Sequence, residues 1–236
     1  MKDRKPVSRK PGLVCTTVSA KTGGEMATKA AAAFALGTDI VELRLDLLRR
    51  PSLAVAEELS HLAKRSVFTV RRRDEGGGFE GTEPERLALI EGLCELQPLY
   101  VDIELTTVEE SRGWFAELPR TPRKIVSWHD FSKTPSFPAL KRSRSRAGAA
   151  GSIAKVVTTA KSGEDNLKVL RLYEENPENL IAFCMGALGM VSRVLSLQLG
   201  SPIVYASLPN EPVAPGQLSV STVLGLKRIW EGRRGW

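Results

Sequence analysis

Eight short runs rich in β-branched and aromatic residues, at positions 13–18, 39–44, 66–71, 99–104, 124–128, 152–157, 180–184 and 202–206, alternate with longer segments of helical composition. Those segments, 25–36, 52–64, 84–96, 108–118, 138–147, 163–175, 188–199 and 219–230, mix apolar and charged positions as helices with one covered face do. Corresponding strand positions, from Val14 through Val41, Phe68, Val101, Val126, Lys155 and Ala182 to Val204, lie 22 to 33 residues apart, the length of one strand–helix unit. Parallel strands need such helical crossovers, and eight units predict an α/β fold, a single-domain (β/α)8 TIM barrel. A doubly wound open sheet is the alternative, but no Gly-x-Gly-x-x-Gly follows the first strand. With no Pro/Gly-rich linker, the expected layout is a basic tail over residues 1–11, the barrel over 12–231 and a short C-terminal tail over 232–236.

The chain has 236 residues, 42% of them hydrophobic and 26% charged, which supplies a sizeable core and excludes disorder as the main state. The longest apolar run, 181–191, has 11 residues and contains two glycines, short of the roughly 18 that cross a bilayer, so no membrane partner is expected. Five of the first ten residues are Lys or Arg, but the stretch after them is broken by Cys15, Thr16 and Thr17 and reads as a strand rather than a signal-peptide core. Cys15, Cys94 and Cys184 form an odd set without Cys-x-x-Cys spacing, and only two histidines are present, so neither a disulfide framework nor a metal site is expected and a cytoplasmic location fits. A net charge of +7 favours an anionic partner. Part of that excess lies in residues 2–10 and in Lys141, Arg142, Arg144 and Arg146, which read as solvated faces because no aromatic residues interleave with them to stack bases.

In a barrel, chemistry sits where strands end. Those ends are loaded: Glu42-Leu43-Arg44-Leu45-Asp46 on strand 2, Arg71 followed by Glu75-Gly76-Gly77 on strand 3, Asp102-Ile103-Glu104 on strand 4 and Ser127-Trp128-His129-Asp130 on strand 5. Alternation along a strand turns Glu42 and Arg44 to one side, and Asp102 and Glu104 likewise, so a mutually compensated network of carboxylates and guanidiniums is expected inside. Lys155 interrupts Ile153-Ala154-Lys155-Val156-Val157, where an apolar side chain would serve better. It reads either as an amine nucleophile towards carbonyls or as a structural lysine paired with Glu104 or Glu42. His129, just past strand 5, reads as an acid/base group or as a structural hydrogen-bonding histidine, and Glu75 as its orienting carboxylate or an exposed loop residue. His61 falls in a helical segment on the outer ring. Arg193, where Met185-Gly186 leads into a helix start, reads as a carboxylate site. Ala214-Pro215-Gly216-Gln217 reads as a turn presenting an amide.

Taken in order, Glu42-x-Arg44-x-Asp46, Phe68-Thr69-x-Arg71 with Glu75-Gly76-Gly77, Ser127-x-His129-Asp130-Phe131, Lys155, Met185-Gly186 through Ser192-Arg193, and Ala214-Pro215-Gly216-Gln217 make the chain similar to type I 3-dehydroquinate dehydratases from about residue 13 to 230. The resemblance implies a cofactor-free, metal-free syn dehydration of 3-dehydroquinate to 3-dehydroshikimate in the shikimate pathway of aromatic amino acid biosynthesis. It implies that Lys155 forms the Schiff base, that His129 moves the proton and that Glu75 orients His129. It further implies that Glu42, Arg44, Arg71, Met185, Arg193 and Gln217 bind substrate, and that the enzyme is a cytoplasmic homodimer with no nucleic-acid partner. One position departs from the pattern: Val213 stands where the family commonly has a hydroxyl residue. The strand 1 contact is left among Thr16, Thr17 and Ser19. The competing readings are another Schiff-base barrel lyase or aldolase and, from a different class, a basic nucleic-acid-binding protein whose retention would be steeply salt-dependent.

Overall fold

The computed structural model describes residues 12–232, so the expected tail over residues 1–11 and residues 233–236 lie outside the described residues. Eight parallel strands, β1 (Leu13–Val18), β2 (Ile40–Arg44), β3 (Ser66–Thr69), β4 (Tyr100–Glu104), β5 (Arg123–Asp130), β6 (Ile153–Thr159), β7 (Leu180–Met185) and β8 (Ile203–Ser207), pair in the order β7-β6-β5-β4-β3-β2-β1-β8. The chain is therefore a single-domain (β/α)8 TIM barrel, nearly closed, with the seam between β7 and β8. Above that seam the loops make the join, as Gly186 N donates to Pro215 O at 3.1 Å.

Around the strands run α1 (Gly23–Ala35), α2 (Leu53–Glu58), α3 (Glu83–Glu95), α4 (Leu105–Glu110), α5 (Arg112–Glu117), α6 (Phe137–Ala150), α7 (Gly163–Leu170), α8 (Met190–Leu199) and α9 (Val220–Gly232). Some of their starts carry side-chain caps: Thr22 accepts from Glu25 N on α1, and Thr82 and Glu85 form a capping box on α3. Caps of this kind contribute about 1 kcal/mol each. Three segments expected as single helices are divided, the last of them, 163–175, passing from α7 into a 3₁₀ turn at Arg171–Glu174. The first, 52–64, tightens into a 3₁₀ turn, Ser60–Arg65, that delivers the chain to β3. The second, 108–118, begins earlier, at Leu105, directly off β4, and breaks at Ser111. The last helix runs through Gly232, one residue past the expected boundary.

The strand pattern sorts the core into two shells. Leu43, Phe68, Ile103, Val126, Val156 and Ala182 point outward and are buried under the helices. Inside, Cys15, Ile40, Val67, Tyr100, Ile125, Ile153, Ile181 and Ile203 fill the lower barrel. Two residues further along each strand the inward positions are Thr17, Glu42, Thr69, Asp102, Ser127, Lys155, Phe183 and Tyr205, all at most 5% or 6% exposed. Because the side-chain period of a strand is two, each strand steps from an apolar plug to a polar or aromatic mouth without changing its path. On the outer surface, Lys141 and Arg144 pair with Glu175 and Arg146 pairs with Glu109, so much of the basic α6 face is locally neutralised. His61 is exposed on the outer ring.

Candidate active site

At the C-terminal end of the strands a cavity of about 200 Å³ is lined by Glu42, Arg44, Arg71, Glu75, His129, Lys155, Met185, Arg193 and Gln217, all nine of the candidate site residues. Thr17, Phe131, Phe183, Tyr205 and Val213 also line it. A larger furrow of about 870 Å³ lies outside the barrel between the β2 and β3 loops, and its lining holds no histidine and no strand lysine.

Lys155 Nζ sits 2.8 Å from Asp102 Oδ2 and 3.7 Å from Glu42 Oε1, with the Tyr205 ring face 4.2 Å away. Both readings of this lysine meet in one geometry: it is buried and ion-paired, and it also faces the cavity. The pairing extends as an alternating chain of charges. Asp102 Oδ1 accepts from Arg71 Nη2 and Ser127 Oγ, both at 2.7 Å, while Arg71 Nη1 lies 3.1 Å from Glu104 and Arg86 bonds Glu104 at 2.9 Å. Burial alone would push the Asp102 carboxyl up, but Arg71 and Lys155 outweigh it and hold it well below the usual carboxylate range. A compensated network of this kind is how ionised groups persist away from water.

His129 and Glu75 are set differently. His129 is the next-to-last residue of β5, and the glycine-rich β3 loop brings Glu75 Oε2 to 3.5 Å from His129 Nδ1, too long for a hydrogen bond, so neither atom has a hydrogen-bond partner. Burial pushes the Glu75 carboxyl up to about 7, with Arg71 pulling it back and Glu104 adding to the rise. Burial also holds His129 well below its ordinary value, and the cationic Arg71 and Lys155 act in the same direction. A neutral imidazole at physiological pH is a proton acceptor. The Phe131 ring stacks on the imidazole at 5.7 Å between centroids and 15° between planes. Gly76 makes that possible: its φ is 74°, and a Cβ there would come within 2.6 Å of the Phe131 ring.

Arg193 is the exception to the compensated network. It is buried at 3% exposure, its guanidinium lies 4.2 Å over the Phe183 ring, and Nη2 reaches only the Pro215 carbonyl at 3.3 Å. Its Nε has no hydrogen-bond partner, and no carboxylate pairs with it among the described residues. Desolvation pulls it down to about 10. An uncompensated buried guanidinium facing a cavity has the charge and free donors that suit an anion. Arg44, in contrast, is held by both oxygens of Asp46 at 2.7 and 2.9 Å, and Asp46 is fixed in turn by Gly78 N.

The strand 1 hydroxyl that faces the cavity is Thr17, which donates to Glu42 at 2.9 Å; Thr16 turns outward to Thr38. Two aromatic residues, Phe183 and Tyr205, were not among the expected site residues, although each lies on the inward alternation of its strand. Their rings stand 6.4 Å apart at the β7–β8 seam, each under one cation.

Fold and site together define a β/α-barrel protein with a buried strand lysine, an imidazole beside a carboxylate and an unpaired guanidinium around one cavity. The model of the type I 3-dehydroquinase family matches residues 14–231. Relatives called 3-dehydroquinate dehydratase include those of Thermococcus gammatolerans, 43% identical over 83% of this chain and 89% of the relative, and of Methanocaldococcus jannaschii, 35% identical over 92% and 97%. The Pyrobaculum aerophilum relative is 42% identical over 76% of this chain, a match that spans 59% of its own length. The crystal structure of the Geobacillus kaustophilus 3-dehydroquinate dehydratase superposes with a TM-score of 0.83 at 29% identity, over 95% of this chain and 93% of that one. The chain belongs to the type I 3-dehydroquinase family.

Proposed function

We propose that this chain converts 3-dehydroquinate to 3-dehydroshikimate through an imine on Lys155. The observation that carries the proposal is the one cavity in which a strand-borne amine, a neutral imidazole and an unpaired guanidinium face each other. Arg193 takes the substrate carboxylate, which orients the ring and supplies the missing anion. The Lys155 amine adds to the C3 carbonyl and water departs, leaving an iminium that acidifies the C2 proton. His129 removes that proton, and the electron pair is held as an enamine. The enamine then expels the C1 hydroxyl, which leaves as water on taking the proton from His129, and hydrolysis of the conjugated iminium frees product and amine. Glu75 orients His129 and shares its proton, while Asp102 and Glu42 hold the positive charge on the lysine nitrogen through the cycle. Glu42, Arg44, Arg71 and Met185 surround the substrate ring, with Gln217 in the loop above.

The family and the named relatives support dehydration over an aldol cleavage. No helix among the described residues is long and apolar enough to cross a membrane, and the three cysteines are free and buried. A cytoplasmic homodimer without a nucleic-acid partner is the setting we infer from the resemblance. The test is ultraviolet absorbance on adding 3-dehydroquinate, because the conjugated enone product absorbs and the substrate does not, followed by borohydride reduction with substrate present. Mass added to the peptide containing Lys155 is expected. Mass on another lysine, or an active enzyme that is never labelled, overturns the assignment.

A further inference from the structure

An arginine has five N–H donors, and in Arg86 of α3 all five are used inside the wall of the barrel. Nε and one Nη2 hydrogen go to the two oxygens of Glu83 at 2.8 and 2.7 Å, and the other Nη2 hydrogen goes to Thr107 Oγ1 at 2.6 Å. Nη1 divides between the Val70 carbonyl at 2.8 Å and Glu104 Oε2 at 2.9 Å. The residue is 1% exposed and lines no part of the cavity. Keeping a guanidinium this dry is costly unless its bonds serve something. What they serve lies on either side of Arg71. The carbonyl before it, Val70 O, is held by Arg86, and the amide after it, Arg72 N, donates to Glu104 Oε1 at 3.1 Å. The Arg71 guanidinium itself stands between Glu104, 3.1 Å behind it, and Asp102 and Ser127 Oγ, each at 2.7 Å.

We infer that Arg86 is a positioning residue that satisfies Glu104 from outside the barrel, so that Arg71 keeps its place at the cavity wall instead of being drawn back onto that carboxylate. This rests on the reading of Arg71 as part of the substrate site. Glu104 is fully buried and takes four donors, two from side chains on its outer oxygen, Arg86 and the Thr107 hydroxyl at 3.3 Å. Without the Arg86 cation, Arg71 would be the cation left beside an anion that water cannot reach, and the attraction would act against its bond to Asp102. Asp102 is the acid 2.8 Å from the Lys155 amine, so the displacement would be felt at the reacting nitrogen. Charges of alternating sign thus run from the half-buried Glu83 through Arg86, Glu104, Arg71 and Asp102 to Lys155, joining the outer ring of helices to the site.

The experiment is a histidine titration by NMR on the full chain, which needs no substrate. The chain has two histidines, and His61 is exposed on the outer ring, so the two signals are separable. His129 is faced by Arg44 of β2, Arg71 and Glu75 after β3, Asp102 of β4 and Lys155 of β6; burial holds it down, and among the charges Arg71 adds most. Arg86→Gln, which removes the cation and can still donate to the Val70 carbonyl, should raise the His129 midpoint by about 0.5–1 in pH, and Arg86→Lys should bring it back to the wild-type value. Arg71→Gln should raise the midpoint too, and combining it with Arg86→Gln should move it no further, because Arg86 acts through Arg71. If Arg86→Gln does not fold, the isosteric Thr107→Val, which takes one donor from Glu104, should raise the midpoint in the same direction by less. Turnover is the second readout: with 3-dehydroquinate, Arg86→Gln should lower kcat about tenfold while borohydride still labels Lys155. An inactive wild type overturns the proposed function, and the titration still decides the inference. The inference is overturned by an unchanged His129 midpoint in the folded variant, by additive shifts in the double variant, or by Arg86→Lys shifting as far as Arg86→Gln.

Discussion

Glu75→Gln should make the protein more stable and a poorer catalyst, and the stability gain should appear only as pH rises. In the unfolded chain the Glu75 carboxyl ionises at its ordinary 4.5, whereas in the folded protein burial delays ionisation to about 7. Between those values the folded state binds more protons than the unfolded state, so stability falls as pH rises through the window. Below 4.5 the cost is absent; above 7 it is fully present. At about 1.4 kcal/mol per pH unit the gap amounts to about 3 kcal/mol, which the 12% exposure of the side chain and screening at the cavity mouth reduce to about 2–3 kcal/mol. A neutral amide of the same shape removes this cost. For a domain of this size each kcal/mol shifts the melting point by about 2–4 °C, so Glu75→Gln should melt about 5–10 °C above wild type at pH 8. At pH 5, where about 1 kcal/mol has accrued, the gain should be about 3 °C or less. Paired thermal melts at the two pH values, with turnover measured alongside, check this. An equal gain at both pH values, or a lower melting point at pH 8, would refute the argument that the buried carboxylate is held in the site at the expense of the fold.

His129→Ala should lose at least about 100-fold in turnover, the low end for a general acid/base group, while substrate and borohydride still label Lys155; near-normal turnover would remove His129 from the mechanism. Arg193→Met should raise the Michaelis constant about 10- to 100-fold with no fall in melting temperature, because the guanidinium it removes has no acidic partner among the described residues and the thioether can pack on Phe183. A large loss of stability with an unchanged Michaelis constant would make Arg193 structural. Val213→Ser should lower the Michaelis constant a few-fold at constant turnover, since Val213 lines the cavity and its loop bond to Gln217 comes from the backbone. A rise would show that Val213 works as an apolar contact.

Periodicity alone predicted eight strand–helix units, which favour the barrel over an open sheet, and the inward face of the strands. The alternation that buries Ile40, Val67, Ile125 and Ile153 also dictates that Glu42, Thr69, Ser127 and Lys155 point the same way, two residues on. Composition determined that chemistry would depend on few groups, with one histidine near a strand end. What the linear order left open was set by contacts across the barrel, between residues far apart along the chain. Whether Lys155 was structural or reactive could not be read from β6, because its partners Asp102 and Glu42 come from β4 and β2. The choice of Thr17 over Thr16 and Ser19 depended on register with β2, and the hydrogen bond from Gln217 to Thr17 joins residues 200 positions apart. Arg44 and Arg193 look alike in sequence, yet one is clasped by Asp46 and the other has no acid in reach among the described residues. That difference decides which arginine can receive an anion, and it exists only once burial has removed the water that would otherwise have served both.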